Sequence, residues 1–154
     1  MYQRILVPVD GSPTSKRGLS EAIELARVTG GAVRVMHVVN EPLLALDVKR
    51  LGIDAPALLE MMEGAGRRIA KEALDTVRAA GVKCDSEVAT TPDGRICELV
   101  VDAAQAWGAD VIVIGTHGRR GVNRFMLGSD AEQILRMAPV PVLLVRGKLA
   151  AAAA

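Results

Sequence analysis

The stretch DVIVIGTHGRRGVNRFMLGSDAEQIL, residues 110–135, decides how the chain reads. It opens with a β-branched run, DVIVIG (110–115), that is apolar almost throughout. A strand of that kind is covered on both faces, as strands inside a parallel sheet are. A glycine-rich segment follows, with Gly115, Gly118, Gly121 and Gly128. Ser129 then opens a short helical pattern over 129–137 that stops before Pro139.

The same alternation recurs on both sides of this stretch. Further strand-like runs are RILVPV (4–9), VRVMHVV (33–39), CDSEVAT (84–90) and PVLLVR (141–146). Helical patterns fill the intervals. One covers about 14–28, with Leu19, Ala22, Ile23, Leu25 and Ala26 at helical spacing, Ser12 and Pro13 at its start, and Gly30 and Gly31 at its end. A second covers about 57–80, with a stripe of Leu58, Met62, Ala65, Ile69, Ala73 and Val77 before Gly81. A third covers about 93–107, with Ile96, Leu99, Val100 and Ala103 turned inward and Gly108 as stop. Strand, crossover helix and strand in succession predict an α/β fold, a mainly parallel sheet with helices on both faces. The segment 40–56 is long for a connection and reads as a mobile surface loop or a partner contact.

Composition agrees. The chain has 154 residues, enough for one domain with its own core. Half of the residues are hydrophobic, yet Phe, Trp and Tyr occur once each, so the core is built from Val, Ile, Leu, Met and Ala. The formal charge of +1 marks no global nucleic-acid or membrane binder. Cys84 and Cys97 fit no metal spacing and read as reduced structural thiols. The start MYQRILVPVD lacks the long apolar run of a signal peptide, and a cytoplasmic location is the default expectation. The domain is expected over 1–147; 148–154, KLAAAAA, reads as a disordered or vector-derived tail.

In an open parallel sheet, ligands bind outside the carboxyl ends of the strands. The segment from Gly115 to Ser129 lies at such an end. Glycines let main-chain N–H groups converge on a phosphate, and a helix N-terminus adds unpaired donors and a favourable dipole. Ser129 could cap its helix or donate to a phosphate. The alternative is a mobile turn without a ligand. Neither G-x-x-x-x-G-K-S/T nor G-x-G-x-x-G occurs here, so a P-loop and a dinucleotide fingerprint are not indicated. Asp10, after the first strand in VPVDGS, can accept from ribose hydroxyls, hold a divalent metal at a phosphate, or simply shape the turn with Gly11.

Taken together, ILVPVDGS, HVV, IGTHGRRG and APVPVLLVR resemble the universal stress protein family, from Arg4 to Arg146. The spacing G-x-x-G-x(9)-G-S, filled by Gly115, Gly118, Gly128 and Ser129, is that of its ATP-binding branch. The resemblance implies a five-stranded parallel sheet in the order 3-2-1-4-5, Rossmann-like and close to the adenine nucleotide alpha hydrolase arrangement. It places Pro8, Val9 and Asp10 near the nucleotide and Val38 and Val39 beside the adenine. It brings the main chain at Gly115, Gly118, Gly128 and Ser129 to ribose and phosphates. His117 has no obvious nucleophile partner and reads as nucleotide-stacking or structural rather than catalytic. Arg119, Arg120 and Arg124 could clamp phosphate or be solvated charge.

Asp130 and Ala131 depart from the Val and Ser or Thr that many ATP-binding members carry after G-S. A carboxylate turned on a triphosphate would repel it, which leaves ATP, ADP and AMP all open, with Mg²⁺ through Asp10. The implied role is a nucleotide-binding stress sensor or switch. The alternatives are a slow ATPase or phosphotransfer enzyme, for which the sequence offers no convincing general base, and a nucleotide-free interaction domain. In the order 3-2-1-4-5 the last strand is an apolar edge, which predicts a homodimer built on Val140, Val142, Leu143, Leu144 and Val145.

Overall fold

A computed structural model of the chain describes residues 1–42, 52, 54–116 and 127–147. Five strands, β1 (Arg4–Pro8), β2 (Ala32–Asn40), β3 (Lys83–Thr91), β4 (Val111–Gly115) and β5 (Val142–Val145), form one sheet in the order β3-β2-β1-β4-β5. Every pairing is parallel. Four helices, α1 (Pro13–Thr29), α2 (Ala55–Ala79), α3 (Ile96–Trp107) and α4 (Ser129–Met137), make the crossovers. The α/β class is the one that the sequence predicts, and the strand order is the one that the resemblance implies.

The central strands dictate this arrangement. Ile5, Leu6 and Val7 are consecutive and wholly buried, so β1 presents apolar side chains to both faces. Each such side chain contributes about 1.5–3 kcal/mol when buried, provided that both faces are covered. On one face Ile5, Val7, Val33, Val35, Val111 and Val113 pack with residues of α1 and α2. On the other, Leu6, Met36, Ile112 and Ile114 pack with residues of α3 and α4.

Local signals set most boundaries. The Ser12 hydroxyl accepts from the Ser15 N–H at 3.1 Å and caps α1, with Pro13 in the first turn. Gly30 and Gly108, both in the left-handed region, end α1 and α3. The start of α3 differs from expectation. Asp93 accepts from the Arg95 N–H at 3.2 Å and Gly94 takes φ +79°, so the chain turns before the helix begins at Ile96.

The inward stripe of α2 also differs. Leu58, Ala73 and Val77 are buried as expected, but Gly66 and Ala70 complete the stripe, while Met62, Ala65 and Ile69 are half-buried at its margins. The helix approaches the sheet on small residues. Of the two methionines in the middle of α2, Met61 is exposed.

Gly115 marks a close approach of α1 to the sheet. A Cβ on Gly115 would stand 2.9 Å from the Thr14 carbonyl carbon, carbonyl oxygen and Cγ2. On the α1 side, a Cβ on Gly18 would stand 3.4 Å from the Gly115 nitrogen. Gly115→Ala therefore forces α1 away from β4. It is expected to cost about 1–3 kcal/mol, the usual range for overpacking, read as a lowered midpoint in urea unfolding.

Candidate functional site

All five strands deliver their carboxyl ends to one edge of the sheet, because every pairing is parallel. The order changes direction between β1 and β4, which opens a crevice at that edge. Asp10, Asn40, Thr91 and Thr116 follow or end four of the strands there.

At the end of β1, the Val9 N–H donates to the Met36 carbonyl at 2.8 Å. Asp10 is half-buried, and its Oδ1 accepts from the Ser12 N–H at 2.9 Å. The Asp10 N–H points to the Ser15 hydroxyl at 3.4 Å. The carboxylate thus shapes the Asp–Gly–Ser turn, as one of its sequence readings has it, at the carboxyl edge of the sheet. Pro8 is half-buried, and Val9 belongs to the core on the α1–α2 side.

At the end of β2, Val38 and Val39 point to opposite faces. Val38 packs half-buried on the α3–α4 side. Val39 is 2 % exposed, and its Cγ2 lies 3.1 Å from the position of a Cβ on Gly66 of α2. Only one of the two side chains is thus on the α3–α4 face.

At the end of β4, the Thr116 N–H donates to the Val145 carbonyl at 2.9 Å, and the Thr116 carbonyl accepts from the Gly128 N–H at 2.8 Å. The chain leaves the sheet at Thr116 and returns to the same residue to begin α4. His117, Gly118, Arg119, Arg120 and Arg124 lie outside the described residues, as do the tail 148–154 and most of the segment 40–56. Gly128 is the N-cap, extended at φ −62°, and Ser129 is the first helical residue. Ser129 is therefore not the cap. Gly128 has no side-chain oxygen to satisfy the first-turn N–H groups, in contrast to Ser12 at α1. Asp130 is exposed, and its charge helps to raise the pKa of Cys97 on α3.

The principal cause of that shift is burial, which pushes the Cys97 thiol up. Its Sγ lies 3.0 Å from Gln133 Oε1. Burial raises Cys84 as well, and both thiols are free, as expected. Among the described residues no cluster of His, Cys, Asp or Glu could hold a metal by itself.

Of three polar residues at this edge, Asn40 and Thr91 escape a motif reading, and His37 opens the HVV stretch. Asn40 Oδ1 is buried and has no hydrogen-bond partner among the described residues. Thr91, paired with Asn40 in the β2–β3 register, is 2 % exposed. His37 is 7 % exposed, with Nδ1 2.7 Å from the Val9 carbonyl. A polar residue closing a largely buried strand is the available sequence signal for Asn40, and the polar, partly exposed β3 offers none for Thr91. A shallow cleft lined by Arg4, Lys83, Asp85 and Trp107 lies at the opposite, amino end of the sheet, away from the crevice.

The Universal stress protein family model matches residues 1–146. The chain belongs to that family. Universal stress protein A homolog 1 of Coxiella burnetii is 32% identical over 145 residues, covering 94% of this chain and 96% of that one. A universal stress protein family structure from Burkholderia pseudomallei superposes with a TM-score of 0.76 at 29% identity, covering 95% and 97% of the two chains. The universal stress protein of Archaeoglobus fulgidus in complex with dAMP superposes with a TM-score of 0.66 at 25% identity, covering 94% and 98%.

Beside the crevice, the Thr91 hydroxyl donates to Asp93 Oδ1 at 2.8 Å. This bond first, and then those from the Arg95 main chain and side chain, hold the Asp93 carboxyl below its ordinary value of 3.8. A lowered carboxylate stabilises the fold above its ordinary value, and that contribution is lost as pH falls through the lowered one. Thr91→Val is expected to raise the Asp93 pKa toward 3.8, read from the carboxyl carbon in an NMR pH titration. An unmoved titration would refute the assignment of the shift to Thr91.

Proposed function

We propose that this universal stress protein binds an adenine nucleotide in the crevice at the carboxyl ends of β1, β2 and β4, and acts as a nucleotide-dependent sensor or switch. The observation that carries the reading is the junction of β4 and α4. The N-terminus of α4, where Gly128 offers no side-chain cap, begins at a strand end in the crevice, tied to it by the Gly128–Thr116 bond. First-turn N–H groups and the helix dipole suit a phosphate. Asp10 on the neighbouring strand suits ribose hydroxyls. The dAMP held by the Archaeoglobus relative supports the same ligand class.

In this reading Pro8, Val9 and Val38 border the nucleotide, and Val39 contributes main chain, since its side chain is in the core. Gly115, Gly118, Gly128 and Ser129 present main chain to ribose and phosphates, with His117 and Arg119 from the intervening segment. A lone Asp10 makes no metal site, but it fits Mg²⁺ that arrives with the nucleotide phosphates. Asp130 is exposed in the first turn of α4, where a carboxylate is favourable to the helix and unfavourable to a terminal phosphate. AMP and ADP are therefore proposed as ligands alongside ATP.

Adenine nucleotide is expected in the supernatant when protein purified without added ligand is denatured and chromatographed. A thermal upshift is expected with AMP, ADP or Mg-ATP. Asp130→Val should strengthen ATP binding more than AMP binding in calorimetric titration. No co-purified nucleotide together with no thermal shift would refute the proposal.

We also propose a homodimer through β5. This four-residue strand is an edge of the sheet. Leu143 on it is 43% exposed, and Leu135 and Met137 of α4 are exposed as well. An apolar edge is a liability that antiparallel pairing with a second copy removes. Val140, Val142, Leu143, Leu144 and Val145 would form the contact. No helix among the described residues is long and apolar enough to cross a membrane. Sedimentation velocity at micromolar concentration is expected to show a dimer, and Leu143→Arg a monomer. A monomeric parent chain would dismiss this contact.

A further inference from the structure

The paired stretch of β1 and β2 ends at Pro8 and Met36, yet Val9 is still fastened to β2 by two bonds. Its N–H donates to the Met36 carbonyl at 2.8 Å, and its carbonyl lies 2.7 Å from His37 Nδ1. A carbonyl oxygen only accepts, so Nδ1 carries the proton of this bond. The peptide unit that joins Val9 to Asp10 is planar and stiff. It is held at its carbonyl by the His37 ring and at its N–H by the Ser15 hydroxyl, 3.4 Å away on α1.

The other side of the ring rests on α2. A Cβ on Gly66 would stand 2.7 Å from His37 Cδ2 and 3.2 Å from Nε2. Glycine is among the poorest helix formers, and here it lies well inside a helix of 25 residues. The space that it leaves is the space the imidazole occupies. His37, Gly66 and the Val9–Asp10 peptide thus form a continuous chain of contacts from α2 through β2 to the mouth of the crevice.

We infer that His37 is a positioning residue: through Nδ1–H it fixes the Val9 carbonyl, and with it the direction in which Asp10 leaves the sheet, while Gly66 keeps room for the ring. The consequence for ligand affinity rests on the nucleotide reading above; the consequence for the turn does not. Asn retains a donor near the position of Nδ1 in a smaller side chain, whereas Leu fills the volume without a donor.

The test measures two quantities in the full chain for His37→Leu, His37→Asn and Gly66→Ala. The first is hydrogen exchange at the Asp10 and Ser12 amides without nucleotide. The second is the dissociation constant for AMP. His37→Leu is expected to speed exchange and weaken AMP binding, each about tenfold, because a buried acceptor loses its donor and a site residue loses its placement. His37→Asn is expected to restore both, and Gly66→Ala to give part of the loss with the imidazole still present. Unchanged exchange in His37→Leu, or an Asn variant as impaired as the Leu variant, overturns the inference. If His37→Leu does not fold, Gly66→Ala reads the same two quantities, and no change in its exchange overturns the inference. If the parent chain binds no AMP, ADP or ATP, the nucleotide reading fails, while exchange at the turn still decides the role of His37.

Discussion

The structure depends on a strand that has no polar face. With Ile5, Leu6 and Val7 buried in succession, β1 must be covered by helices above and below. Covering both faces of a sheet with a single chain requires crossover connections, and crossovers make neighbouring strands parallel. Parallel strands in turn bring every carboxyl end to the same edge. The crevice between β1 and β4 is thus a product of burying three adjacent apolar residues rather than a separate invention. Residues that differ in chemistry and lie far apart in sequence, Asp10, Asn40, Thr91 and Thr116, line up along that edge because each follows or ends a strand.

Much of this was legible in the sequence. Continuous β-branched runs, helical spacing and terminal glycines placed the strands and helices within a few residues, and the resemblance supplied the strand order. The misplacements have local physical causes. The start of α3 was misread because the Asp93 side chain and the left-handed Gly94 hold a turn where apolar spacing alone continues a helix. The stripe of α2 was misread because hydrophobicity favours Met62 and Ile69, whereas close approach to the sheet favours Gly66 and Ala70.

The site was legible by position more than by role. Gly115 stood out as a residue for approach to a phosphate, and a helix crossing accounts for its missing side chain. Its φ is not positive, and neither is that of Gly128, so left-handed geometry is not what selects glycine at either position. Ser129 reads from sequence as a cap or a phosphate donor, and it is the first helical residue rather than the cap. Val38 and Val39 looked equivalent, and strand alternation separates them. The contact of His37 with Val9 joins positions 28 apart, a pairing that no periodicity in the chain announces.

At the amino end of the sheet, Trp107 closes α3 beneath the Arg34 guanidinium, 4.7 Å from the ring centroid. Arg34 is itself anchored by Asp85, with its Nε and Nη2 each 2.7 Å from a carboxylate oxygen. Trp107 is the only tryptophan in the chain. Its ring stands under a charged group at the end opposite the crevice. Intrinsic fluorescence is therefore a reporter of global unfolding in this protein and a poor optical probe of occupancy at the carboxyl edge. A signal for that edge has to be introduced there, as an extrinsic label beside Thr116 or Asn40.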